Sequence, residues 1–177
     1  ITIENNSMVN LSKEDSDRAF KESKIIQKAL NNYSKFLVAD LNFIKPVEGM
    51  ISSRYGKKRF INDQPRSPHL GLDIAAAEGT KIISPLKGKV ILVGDFFYAG
   101  NYIMIDHGFG LISSYSHLSS VLVDKNELIK KGQEIGEVGS TGRVTGPHLH
   151  WTVYLNKVKI NPESLINENF LASLLKL

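Results

Sequence analysis

The sequence predicts a mainly β fold, an antiparallel β-sandwich or compact barrel, with a helix before it and a short helix after it. Three observations point there. From residue 46 onward, short apolar runs alternate with glycines at a spacing that suits successive hairpins. Upstream, one stretch has helical periodicity instead. At 177 residues and 42% hydrophobic content, the chain can bury one good core and a small appendage.

The N-terminus starts as a polar, extended piece, Ile1 to Ser7. Ser12-Lys13-Glu14-Asp15 then combines a capping serine with an acidic first turn, which predicts a helix start. Ala19, Phe20, Ile26, Ala29, Leu30, Tyr33, Phe36 and Leu37 recur at helical spacing, giving one stripe over 13–38. The stripe is expected to pack on the following domain; a remnant of a larger upstream domain, docked through the same face, is the alternative. Strands are predicted at 81–83, 88–93, 101–105, 110–115 and 133–138, with another running from His148 through Tyr154. Asn161-Pro162-Glu163 reads as a cap and first turn. The tail at 170–175 is apolar at helical spacing. The expected division is an extended and helical segment at 1–45, one domain at 46–166 and a helical tail at 167–177.

Charge and composition narrow the partners. The net charge of +4 favours anionic ones. No basic cluster is interleaved with aromatics, so no nucleic-acid partner is expected, and Lys57-Lys58-Arg59 reads as a solvated turn. There is no cysteine to form a disulfide and no apolar run of about 18 residues to span a membrane in this segment. The chain begins at Ile1 without a signal peptide, so it is expected to be a processed segment whose export signal lies elsewhere.

The histidines carry the chemistry. Of five, four fall in three short motifs: His69-Leu70-Gly71-Leu72-Asp73, Ser116-His117-Leu118 and Gly146-Pro147-His148-Leu149-His150. A zinc ion takes neutral imidazoles and a carboxylate, and a catalytic site keeps a position open. Two histidines and an aspartate would supply that set and leave two histidines for proton transfer. On a strand, His148 and His150 point to one face. His69 and Asp73 share a face on a strand or a helix, and Pro68 and Gly71 argue for the extended form. The helical His-Glu-x-x-His pattern is absent. Each motif alone is weak, since a lone His-x-His is usually packed or solvated, and His117 could be a buried histidine bonded to backbone. His107, in Ile105-Asp106-His107-Gly108, reads as a turn residue outside the site.

Further text surrounds these motifs: Gly49-Met50-Ile51-Ser52-Ser53-Arg54-Tyr55-Gly56, Gly100-Asn101-Tyr102-Ile103-Met104-Ile105-Asp106-His107-Gly108 and Val138-Gly139-Ser140-Thr141-Gly142. With them, residues 46–165 resemble the LytM/lysostaphin-type zinc metallopeptidases, peptidoglycan endopeptidases with the duplicated hybrid motif fold. The resemblance implies that His69, Asp73 and His150 bind one Zn²⁺ and that His117 and His148 act in catalysis, with the general-base role undivided between them. It also implies a peptidoglycan substrate, most closely the D-Ala–diaminopimelate cross-link, and a periplasmic or extracytoplasmic location. Some members place an oxyanion-assisting tyrosine before the first motif. Here 61–66 has none, and Arg66 is the substitute candidate. Loops at 62–68, 95–101 and 141–145 are expected to wall a groove, with Arg143 facing a peptide carboxylate.

Two other readings stand beside this one. Ile129-Lys130-Lys131-Gly132-Gln133-Glu134-Ile135-Gly136 also resembles lipoyl- and biotinyl-type carrier domains, but that leaves the histidines unexplained. A non-catalytic LytM-like protein, binding the wall or activating another hydrolase, would be expected to have lost some of the five positions. All five are present.

Overall fold

The computed structural model describes residues 9–35 and 41–167. In chain order the elements are α1 (Lys13–Ala29), β1 (Met50–Ser53), β2 (Arg59–Ile61), β3 (Gln64–Arg66), β4 (Leu72–Ala75), β5 (Lys81–Ile83) and β6 (Gly88–Phe96). There follow β7 (Gly100–Gly108), β8 (Leu111–Val121), β9 (Leu128–Ile129), β10 (Glu134–Val138), β11 (His148–Leu155), β12 (Val158–Ile160) and α2 (Glu163–Ile166).

Ser12 caps α1 as its sequence predicts: its hydroxyl accepts from the Asp15 amide at 3.0 Å. The helix stops at Ala29, well short of 38. Asn31 and Asn32 donate to Lys28 and Ala29 carbonyls three residues back, tightening the chain into a turn. The apolar stripe is only partly used. Ile26, Ala29 and Leu30 pack on the sheet, whereas Phe20 is 63% exposed. Phe36 and Leu37, like the expected extended start and apolar tail, lie outside the described residues.

Ten strands form one antiparallel sheet in the order β1-β4-β11-β8-β7-β6-β9, with β12 added to β11 and β10 bridging β8 and β5. The hairpin β2-β3 stands apart. The antiparallel β architecture expected from the sequence is therefore present, as a branched sheet rather than two independent ones.

Strand alternation sorts side chains between two cores. On one face Leu72, Ile74, Ile103, Ile105, Leu149, Trp151 and Val153 pack together, and all are buried. Each contributes about 1.5–3 kcal/mol by leaving water. On the other face Leu92, Phe96, Tyr102, Met104, Ile112 and Tyr154 meet the inner side of α1. His148 and His150 alternate with Leu149 and Trp151 on β11, so they project on the same face as Tyr154 and α1.

At the C-terminal end, the Asn161 carboxamide accepts from the Glu163 amide at 3.0 Å, one residue ahead of Pro162, the N-cap of α2, which has no side-chain cap. His107 departs from expectation. It lies within β7, fully buried; the strand runs on through Gly108 and the turn follows at Phe109 and Gly110, with positive φ at all three. Its Nδ1 donates to the Lys87 carbonyl at 2.8 Å, and its Nε2 meets the Ser113 hydroxyl at 2.7 Å.

Burial pushes the His107 imidazole down from 6.5 to about 4. The unfolded chain therefore binds a proton here that the folded chain refuses. This contribution is complete above pH 6.5 and is lost as pH falls toward 4. Between pH 7 and pH 5 the loss should be about 2 kcal/mol. Urea unfolding at the two pH values should show it, and His107→Gln should shrink the difference. An unchanged difference would mean that His107 is not its source.

Candidate metal centre and active site

β4 and β11 pair antiparallel with Asp73 opposite His150. Directly opposed residues share a face, so carboxylate and imidazole meet across the ladder. His69 precedes β4 in the entering loop and is fully buried. Its Nε2 lies 2.9 Å from Asp73 Oδ1 and 3.1 Å from His150 Nδ1, while His150 Nδ1 is 2.6 Å from the same carboxylate oxygen. These three residues each direct one ligand atom into a common point, all within 4.8 Å of one another.

The remaining ring nitrogens fix which atoms face that point. His69 Nδ1 donates to the Arg54 carbonyl at 2.9 Å, with Ser53 Oγ at 3.2 Å. His150 Nε2 meets Thr152 Oγ1 at 3.1 Å. With a proton on the inner nitrogen either ring donates to Asp73 Oδ1; with both protons engaged outward, His69 Nε2 and His150 Nδ1 present lone pairs to each other and to that carboxylate oxygen. Three acceptors so close repel unless a cation sits among them. Such outward hydrogen bonds are also what orients metal-ligating histidines. The set fits a divalent ion with nitrogen and oxygen preference.

Charge agrees with that arrangement. Burial opposes ionisation of Asp73, but hydrogen bonds and positive charge from His150 and His69 outweigh it and hold the carboxyl well below its usual range. Burial likewise lowers His150, against the pull of Asp73. A neutral imidazole beside an ionised carboxylate is the protonation pattern that metal binding requires. On the outer side, Arg59 Nη2 reaches Asp73 Oδ2 at 3.3 Å.

His117 joins the site through an irregularity. In β8 the residue opposite His150 is Ser116, so regular alternation would send His117 to the far face. Between the pairs Ile103↔Tyr115 and Asn101↔Leu118, β7 advances two residues and β8 three, so β8 carries an extra residue. His117 takes it up with φ 69°, a left-handed conformation uncommon for a side-chain-bearing residue. The ring then lies 4.9 Å from that of His148 and 6.0 Å from that of His150. His117 Nδ1 donates to the Thr141 carbonyl and His148 Nδ1 to the Gly146 carbonyl, both at 2.9 Å. Each therefore keeps Nε2 for chemistry; that of His148 is 3.9 Å from Asp73 Oδ1. Burial, then the charges of His150 and His148, lower His117 to about 3, so it is neutral at pH 7.

All five residues singled out in the sequence thus meet at one place, and His107 stays in the core. They line or underlie a groove of about 1260 Å³ that runs along the sheet face toward α1. Tyr98, Ala99 and the stretch 143–145 wall it, matching two of the three expected loops. From the third region the wall comes from 57–61, just before the expected loop. Arg66 is turned to Gln64 at 2.6 Å; its cross-strand partner Arg59 occupies the position beside Asp73 instead. Arg59 lies on the first strand of the hairpin rather than in the solvated turn expected for 57–59, and that placement is what distinguishes it.

Similarity to known proteins agrees with this geometry. Residues 67–162 match the model of Peptidase family M23. The peptidoglycan DD-endopeptidase ShyA of Vibrio cholerae is 40% identical over 112 residues, covering 63% of this chain and 26% of ShyA. A Pseudomonas aeruginosa structure described as an M23 peptidase superposes with a TM-score of 0.77 at 40% identity, over 87% of this chain and 63% of that one. A zinc-containing peptidase from Vibrio cholerae gives a TM-score of 0.64 at 39% identity, covering 68% of this chain and 39% of the other. The fold and histidine–aspartate cluster are those of a metallopeptidase domain. The chain belongs to Peptidase family M23, the LytM-type peptidases, and spans about a quarter of the length of ShyA.

Gly71 tests how tightly the donor set is built. A Cβ there would lie 2.5 Å from His150 Cε1, 2.8 Å from its Nε2 and 2.9 Å from Thr152 Oγ1. Gly71→Ala should push the His150 ring off its threonine and weaken metal binding by roughly 10- to 100-fold. Competition with a chromophoric chelator measures this, and unchanged affinity would show that the ring has room to spare.

Proposed function

We propose that this chain is a zinc metalloendopeptidase that hydrolyses peptide cross-links of bacterial peptidoglycan, the D-Ala–diaminopimelate bond being the preferred target. It works in the periplasm or another extracytoplasmic compartment. The observation that carries the reading is the convergence of His69, Asp73 and His150 on one point, with His117 and His148 beside it in an open groove. His69 Nε2, Asp73 Oδ1 and His150 Nδ1 would hold one zinc ion. When bound, zinc supplies Lewis acidity, acidifying the attacking water and polarising the scissile carbonyl.

The chain's own residues do the rest. Asp73 Oδ1 and the two ligand imidazoles are held in place by Arg54, Thr152 and the β4–β11 ladder, so no reorganisation is needed when substrate arrives. His117 and His148 present Nε2 to the groove with their tautomers fixed by backbone carbonyls. Neutral at pH 7, His117 has a lone pair to accept a proton. A buried imidazolium is held poorly, so a proton taken there passes on readily to the leaving amine. The pair takes the proton from water, steadies the charge that develops on the carbonyl oxygen and returns the proton to nitrogen. The open groove admits a chain on both sides of the cut bond, which suits an endopeptidase; trimming of uncross-linked stems would use the same site.

Digestion of purified sacculi, with products identified by mass, tests the activity. Zinc-loaded protein should convert cross-linked dimers to monomers, and a chelator should stop it. No conversion would favour a wall-binding or activating role. Asp73→Ala and His150→Ala should lose the metal together with activity. His117→Ala and His148→Ala should retain it while turnover falls at least about 100-fold. Metal content measured on the same preparations separates the two groups, and metal loss from the second pair would overturn the ligand assignment.

A further inference from the structure

The groove is far more basic than the chain. Whereas the whole sequence has 22 Lys and Arg against 18 Asp and Glu, the groove is lined by Lys57, Lys58, Arg59, Arg143, Lys157 and Lys159. Among the described residues its only acid is Asp73, which belongs to the candidate metal site. A bound divalent ion would raise the imbalance further.

The two guanidinium groups of this lining lie close to a third, that of Arg66. Arg59 and Arg66 are directly opposed across the β2-β3 hairpin and so share a face, a placement that costs energy for like charges. Arg143 comes in from the loop at 141–145, stacks on the Tyr98 ring at 4.2 Å and is itself disfavoured by burial and by the charges of Arg66 and Arg59. Arg59 is partly buried; its Nη2 bonds Asp73, while its Nε has no hydrogen-bond partner among the described residues. An arrangement that repels itself beside a reactive site is relieved by an anion. A planar carboxylate meets a guanidinium fork in two parallel hydrogen bonds.

We propose that Arg59 and Arg143, backed by Arg66, form a carboxylate-binding subsite next to the metal centre. This subsite would select peptides in which the carbon bearing the scissile nitrogen also carries a free carboxylate. The inference rests on the peptidase reading above and gives it a substrate rule. In a D-Ala–diaminopimelate cross-link the leaving amine has such a carboxylate one carbon away, so it would lie beside the donor set when the carbonyl does. A glycine bridge has no such group. Arg59 links the two sites, because the same guanidinium touches Asp73.

The test uses two soluble cross-linked stem-peptide dimers, identical except that this carboxylate is free in one and a carboxamide in the other. Zinc-loaded wild type should cut the free acid with kcat/KM at least about tenfold higher. Arg143→Gln and Arg59→Gln should bring the ratio toward one, mainly by raising KM for the acid, and Arg143→Lys should keep part of it. Metal content is measured for each variant, because Arg59 touches a ligand, whereas Arg143→Gln should keep its zinc. Binding is followed in parallel by calorimetry with His117→Ala. Equal cleavage or equal binding of the two dimers by protein with Arg59 and Arg143 intact would overturn the subsite, as would a preference that survives both glutamine variants. If neither dimer is cut but the acid binds more tightly in an Arg143-dependent way, the subsite stands and the hydrolase reading falls.

Discussion

The site depends on the register of one strand pair. With β4 and β11 aligned so that His150 faces Asp73, the neighbouring pairs are Ile74 with Leu149 and Leu72 with Trp151. Those four side chains are fully buried on the opposite face. A slip by one residue would send them into the groove and the ligands into the core. Hydrophobic burial thereby fixes the positions of polar atoms with which it has no contact. The donor set is held by the core beneath it.

Around that ladder, each of the four site histidines has one nitrogen committed to an anchoring oxygen and the other turned to the site. The anchors are the carbonyls of Arg54, Thr141 and Gly146 and the hydroxyl of Thr152. They come from separate parts of the chain, so tautomers are chosen by loops while positions are chosen by strands. The groove adds a further contrast. Its floor favours neutral imidazoles through burial, and its rim gathers cations, of which Arg59 and Arg143 cannot shed their charge.

Much of this was legible in the sequence, for local reasons. Spacing two put His148 and His150 on one face, and glycine-bounded apolar runs located the main strands. Ser12 capped α1, and Asn161 bonded the first amide of α2 from one residue before its N-cap. The family resemblance, more than spacing, separated the proposed ligands from the proposed catalytic pair. Other features were not legible because they arise between segments. Nothing in Ser116-His117-Leu118 shows the extra residue that turns His117 inward, since a bulge is defined only against its partner strand. His107 looked like a turn residue beside its glycine, yet the burial of its two neighbouring strands decides its place. Arg59 and Arg66 differ only in what lies across from the hairpin. The α1 stripe overran because periodicity persists through Asn31 and Asn32 while backbone hydrogen bonding changes there.

β11 divides its labour by parity. Leu149, Trp151 and Val153 hold the fold, and His148, His150, Thr152 and Tyr154 face the groove. Substitutions on the groove side leave the apolar face intact, while those on the core side reach the groove only through the register they set. Such a strand lets the chemistry change at alternate positions without unsettling the scaffold. The architecture is in this sense evolvable by construction: adaptation and robustness are written on opposite sides of the same eight residues.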